Sequence, residues 1–238
     1  MLITYHKFNR KPFKKHFSIM NDISISNKTR IFEIVAVVIT ALGKFVFMDF
    51  LKLRLQFILV TTIFWTLYVL HRRRRNPQIA KYWGFRTDNF WKVFKIIIPF
   101  GIISMVVFTC VGLYQHTINI TWHIIPILIL YPVWGIIQQF LLIALTAGNL
   151  FDLRGSGLPK EIIIILSALL FGFVHYPHIW LMVGTFVLGI FYARIYLKSR
   201  NVYVLGVFHG WLAGLFFYTV VNRDPFIETF GRLFNIAK

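Results

Sequence analysis

Acidic residues are scarce in this sequence: eight Asp and Glu stand against 26 Lys and Arg in 238 residues. Cysteine is scarcer still. Cys110 stands alone in a hydrophobic run, so it forms no intrachain disulfide and says nothing of redox compartment. Charged residues of both signs make up only 14% of the chain, whereas 58% is hydrophobic. A soluble domain of this length cannot hide that much apolar surface in one core. No repeat, low-complexity tract or separate soluble domain breaks the pattern. A cleaved signal peptide is not expected, because its charged region would lie against its apolar core, whereas here a basic stretch of about 30 residues comes first.

The formal charge of +18 invites a nucleic-acid partner. None is expected. The basic residues fall in short segments between apolar runs, where membrane topology explains them, and not interleaved with aromatics on one surface.

What is present is a series of apolar runs, at 32–51, 55–71, 93–114, 122–146, 161–176, 179–197 and 201–221. Most approach the roughly 20 residues that a bilayer span needs. The fold class is therefore an all-α, polytopic transmembrane helical bundle with about seven spans. The first run is the weakest, interrupted by Glu33, Lys44 and Asp49. The block Arg72–Arg75 follows the second run directly, and the positive-inside rule places it in the cytoplasm. Alternation then puts seven Lys/Arg of the N-terminal arm inside, with eight in 72–95, two in 147–160 and three in 194–200. Five lie on the other face, Lys52, Arg54, Arg223, Arg232 and Lys238, and Lys44 stays in a span. The bias predicts N-terminus in and C-terminus out. Besides the bilayer itself, anionic lipid headgroups are candidate partners for Arg72–Arg75.

Polar groups deep in hydrocarbon are costly and usually face the bundle interior. The exceptions here are Gln138 and Gln139 in the fourth run, His175 at the end of the fifth and His209 in the seventh; His178 sits just beyond Pro177. At the helical rise, Gln138 and His209 each lie about 12 Å from the inner boundary, so they can meet; His175, counted from Glu161, lies about 21 Å in and fits less well. Each has a structural alternative: a lone histidine or adjacent glutamines also serve as interhelical hydrogen-bonding groups. Pro126 and Pro132, upstream of the glutamines, suggest a kinked helix beside a polar cavity. His175, His178 and His209 are imidazoles that a metal can use, but no carboxylate or cysteine completes the set and no HExxH is present. No metal and no cofactor is expected.

Two segments carry a family resemblance. Phe171-Gly-Phe-Val-His175-Tyr-Pro-His178 resembles the FxxxH motif of the CPBP family (CAAX protease and bacteriocin-processing, or Abi) of intramembrane proteases. Gly206-Val-Phe-His209-Gly-Trp-Leu-Ala213 resembles its third motif, a histidine within an apolar helix. Gly135-Ile-Ile-Gln138-Gln139-Phe-Leu-Leu-Ile143 sits where the first motif belongs, and the likeness covers about 130–215. The resemblance implies that a glutamate pair in an EExxxR motif and two histidines activate water for attack on a peptide bond, in prenylated CAAX proteins or peptide precursors. It also implies catalytic roles for His175, His209, Gln138 and Gln139.

The departures are specific. Gln138 and Gln139 replace the glutamates, Ile143 the arginine, and Ala213 the asparagine or aspartate after the last histidine. An amide cannot act as a base; it only donates and accepts hydrogen bonds. Losing the glutamates and the arginine together is electrostatically coherent, since the arginine alone would be an unpaired charge. Three functions stay open. The first is a divergent intramembrane endopeptidase with His175 or His209 as base, and with Glu33 or Asp49 as an outside source of a carboxylate. The second is a non-catalytic relative that binds peptides or lipidated proteins as an immunity or maturation partner. The third is a small transporter component. The chain divides into a basic arm (1–30), N-terminal helices with the basic loop 72–95 (31–121), a CPBP-like core (122–221) and a tail (222–238), with a bacterial inner membrane as the expected location.

Overall fold

The computed structural model describes residues 25–235, so the basic arm up to residue 24, and Lys238, lie outside the described residues. The described chain is helical throughout, without strands. Helix α1 (Asn27–Lys44) runs on into a π-helical stretch (Phe45–Phe50); α2 is Arg54–Arg75 and α3 Ile79–Tyr82. Helix α4 is Phe90–Gln115, and α5 (Ile124–Gln139) continues through a second π-helical stretch (Phe140–Gly148) into α6 (Asn149–Asp152). Then follow α7 (Lys160–Phe173), α8 (Ile179–Ser199), α9 (Val202–Thr219) and α10 (Pro225–Phe230).

Among the described residues, six continuous helices are long and apolar enough to cross a membrane: Asn27–Phe50, Arg54–Arg75, Phe90–Gln115, Ile124–Asp152, Ile179–Ser199 and Val202–Thr219. The fifth apolar run yields only the 14 residues of α7. These rise about 21 Å, short of a hydrocarbon core of about 30 Å. Where about seven crossings were expected, six helices among the described residues are long enough to span, and the fifth run is not. Large apolar side chains such as Phe32, Ile39, Val60, Ile103 and Ile129 stand exposed along the long helices. That is the surface expected where lipid is the solvent, and the chain is a multi-pass membrane protein.

Helix α9 is the central element, with 67% of its span buried against 11% for α1. It packs along α5 at backbone contact. A Cβ on Gly135 would stand 2.3 Å from the Gly206 carbonyl oxygen, one on Gly206 2.4 Å from the Ile136 Cα, and one on Gly210 2.4 Å from the Pro132 nitrogen. Gly206, Gly210 and Gly214 recur every four residues, so one face of α9 has no side chains and admits its neighbour. Pro132 sits at this crossing, where its missing N–H suits the close approach. Pro126 lies in the first turn of α5, where its N–H would be unpaired in any case. Gly210→Ala is expected to cost about 1–3 kcal/mol through overpacking. A lower thermal midpoint in detergent checks this; an unchanged midpoint contradicts the packing.

The end bearing Arg72–Arg75 is closed by a buried polar cluster. Glu33, 1% exposed, accepts from the Tyr68 hydroxyl (2.5 Å) and Asn149 Nδ2 (2.7 Å), and lies 3.4 Å from Arg72 Nη1. Arg30 donates to the Tyr82 hydroxyl (2.7 Å) and to Asn149 Oδ1 (3.1 Å). Asp152 receives Arg200 Nη2 at 2.6 Å and the Tyr82 hydroxyl, and stands 3.6 Å from Arg30. Burial, with the Asp152 charge beside it, holds the Tyr82 phenol above its ordinary value, so it stays a neutral donor. The arginine block therefore splits: Arg72 turns inward, while Arg73, Arg74 and Arg75 remain exposed. Gly84, at φ +95°, lies so close to the Arg200 backbone that a Cβ would meet it at 2.9 Å. Its carbonyl accepts from Val202 N (2.9 Å), and Asn201 Nδ2 reaches Arg86 O and Asn89 Oδ1. Residues 82–89 thereby roof the first turn of α9.

Candidate active site

Gln138 and Gln139 end α5, at the point where the backbone widens into the π-helical stretch. Such insertions recur at functional sites. The two side chains part company. Gln138 lines a cavity of about 730 Å³. Gln139 is fully buried, with neither amide atom hydrogen-bonded.

The register of α9 against α5 brings His209 to Gln138, with Nε2 3.0 Å from Gln138 Oε1. An amide oxygen only accepts, so His209 Nε2 carries the proton, and Nδ1, buried and unpartnered, keeps the lone pair. This bond leaves the Gln138 amide N–H groups free to donate.

His175 lies in the turn after α7. Its Nδ1 donates to the Phe171 carbonyl at 2.8 Å, and Thr185 Oγ1 is 3.2 Å away. Thr185 itself donates to Leu181 O at 2.6 Å. A carbonyl cannot donate, so the His175 proton is on Nδ1 and the Nε2 lone pair is open. A backbone carbonyl fixing one ring nitrogen is a common way to set the tautomer of a working histidine. The Phe171 ring lies between the two histidines, 5.7 Å from His175 and 5.2 Å from His209. Gln138, His175, His209 and Thr185 all face the same cavity, whose other walls are mostly apolar.

The depth mismatch for His175 resolves through two boundaries. The helix bearing Gln138 runs to Asp152 and not to 146, so Gln138 is as many residues from its end as His175 is from Glu161. Both come to about 21 Å of helical rise. His209 is nearer the start of α9, but that start is itself buried beneath residues 82–89, with Asn201 1% exposed.

The other candidates stand differently. His178 also borders the cavity, but it is exposed and bonded to Arg223 Nη1 at 2.9 Å. Glu33 belongs to the polar cluster at the arginine end, far in sequence and in partners from these histidines. Asp49 does line the cavity, paired with Lys44. Thr185 escaped sequence reasoning because a threonine in an apolar helix carries no distinctive spacing. The glycine stripe that presents His209 carries a signal the motif reading did not use, Gly206, Gly210 and Gly214 at four-residue spacing. Among the described residues, no three His, Cys, Asp or Glu converge as metal ligands.

Comparison with known families adds one match. The profile of the family described as "Type II CAAX prenyl endopeptidase Rce1-like" matches residues 119–215, the segment that holds Gln138, His175 and His209. No curated protein and no solved structure matches the chain.

Proposed function

We propose that this chain, whose residues 119–215 match the Rce1-like CAAX endopeptidase profile, is an intramembrane endopeptidase that works without the glutamate pair. The observation that carries the proposal is the pairing at the cavity: His175 with its Nδ1 proton tied to Phe171 O and Nε2 open, opposite Gln138 already bonded to His209. In this scheme His175 Nε2 takes a proton from water as the hydroxide adds to the scissile carbonyl carbon. The developing oxyanion receives an N–H from the Gln138 amide. As the C–N bond breaks, the His175 proton passes to the leaving amine, and carboxylate and amine products result. The family points to peptides near a prenylated C-terminus as substrates, and the apolar walls of the cavity suit a lipid-bearing chain.

The proposal extends to orientation. The arginine end faces the cytoplasm of a bacterial cell, the N-terminus is inside, and Arg73, Arg74 and Arg75 meet anionic headgroups.

One observation favours a second function, that of a binder without catalysis: the residues at the glutamate positions are amides, which cannot take a proton. Gln138→Glu separates the two. It would place a carboxylate against His209 and restore a family base. On the endopeptidase proposal the wild-type chain already cleaves a farnesylated C-terminal peptide in proteoliposomes, and Gln138→Glu raises the rate. A wild type that binds the peptide without cleaving it, under the same conditions, supports the binder.

A further inference from the structure

Helix α1 lies outside residues 119–215, yet it reaches the cavity. Lys44 ends α1 and is the single cation of the first apolar run; Asp49 lies five residues on, in the π-helical stretch. A wide π turn sets residues five apart over one another, and Lys44 Nζ meets Asp49 Oδ2 at 2.6 Å. The ammonium also stands 4.5 Å from the centre of the Phe45 ring. A lysine in a membrane span is costly and needs partners; the carboxylate and the ring supply two. The third partner is across the cavity: Lys44 Nζ donates to the Tyr176 carbonyl at 3.0 Å.

Tyr176 directly follows His175. Within this turn His175 N bonds to Gly172 O, Tyr176 N to Phe173 O and His178 N to His175 O, while Val174 N to Leu170 O and Met182 N to His178 O tie its ends to α7 and α8. Three side chains fasten the turn from other elements. Thr185 of α8 lies at the His175 ring, Arg223 reaches His178, and Lys44 holds the peptide carbonyl next to His175. Thr185 also reaches the Phe171 carbonyl, ahead of His175, and Lys44 holds the carbonyl that follows it.

We infer that Lys44, held by Asp49, is a positioning residue for His175, so that the N-terminal helix forms part of the working site. The inference rests on the role given to His175 under the proposed function. The Lys44–Asp49 pair aims the Tyr176 carbonyl, and through it fixes the direction in which the His175 ring enters the cavity. A pair that only neutralised charge within α1 would leave the turn indifferent to Lys44.

The experiment compares wild type, Lys44→Met, Lys44→Arg and Asp49→Asn in proteoliposomes. Modification of each histidine by diethyl pyrocarbonate is followed by mass spectrometry, with exposed His71 and His116 as internal controls. Lys44→Met is expected to raise the His175 rate several-fold and leave His71 and His116 unchanged, and Lys44→Arg to restore the slow rate. In the cleavage assay, kcat for Lys44→Met should fall by about tenfold to a hundredfold, with a much smaller change in KM. Should Lys44→Met fail to fold, Asp49→Asn carries the test: it keeps the shape, removes the carboxylate's grip on Lys44, and should raise the His175 rate to a smaller degree. An unchanged His175 rate in the folded variants overturns the inference. If the wild-type protein cleaves nothing, the endopeptidase proposal fails, and the histidine-modification rates alone still decide whether Lys44 positions His175.

Discussion

His175→Ala is expected to lower peptide cleavage by about a hundredfold to ten-thousandfold, the usual contribution of a positioned general base. The fold should survive. The His175 ring bonds only to Phe171 O of its own turn and to the neighbouring Thr185, so its removal enlarges an existing cavity and strands no distant partner. His209→Ala should produce a comparable loss by a different route. It releases Gln138 Oε1 and lets the amide turn, which misaligns its N–H groups. Thr185→Val, which removes only the hydroxyl beside His175, should cost less than either. The check is kcat in proteoliposomes at protein levels verified by size-exclusion chromatography. Cleavage retained in both histidine variants would remove the histidines from the mechanism.

Asp152→Ala should have the largest effect on stability. Asp152 accepts from Arg200 and the Tyr82 hydroxyl and pairs electrostatically with Arg30, and both arginine side chains are less than 10% exposed. Its loss leaves buried cations without a carboxylate, which costs about 3–5 kcal/mol. The double variant Asp152→Ala/Arg200→Leu should recover part of that cost, because one stranded charge goes with its partner. Thermal midpoints of the single and double variants in detergent report the difference. Equal midpoints for wild type and Asp152→Ala would show that the cluster does not hold the arginine end together.

Much of this architecture was legible in the sequence, and what was not follows from how membrane helices handle charge. Apolar runs located every long helix, because lipid demands length and hydropathy from each span regardless of its neighbours. Gln138 and His209 do pair, as the expected depths allowed, but those depths ended the Gln138 helix at 146, whereas it runs on to Asp152. Hydropathy failed where polar residues find partners. Asn149 and Asp152 look like a loop after residue 146, yet they continue the α5 helix through its π-helical stretch because Arg30, Glu33 and Arg200 satisfy them. Glu33 and Lys44 make the first run look weak for the same reason: hydropathy penalises a charge whether or not it is paired. Only some of their partners are near in sequence, such as Asp49 for Lys44; Asn149 at one end of α1 and Tyr176 at the other are more than 100 residues away. The shortness of α7 was hidden too, since its apolar run continues to Tyr176 after the helix has ended at Phe173.

The central claim is that a histidine-and-glutamine cavity performs hydrolysis. The most direct test is to incubate proteoliposomes of the wild-type chain with a farnesylated C-terminal peptide in ¹⁸O-labelled water and examine the products by mass spectrometry. The account predicts a single cleavage whose new carboxylate carries label from the solvent, absent from liposomes of the His175→Ala variant. Intact peptide recovered from wild-type liposomes that demonstrably bind it would contradict the account and leave a binding protein in its place.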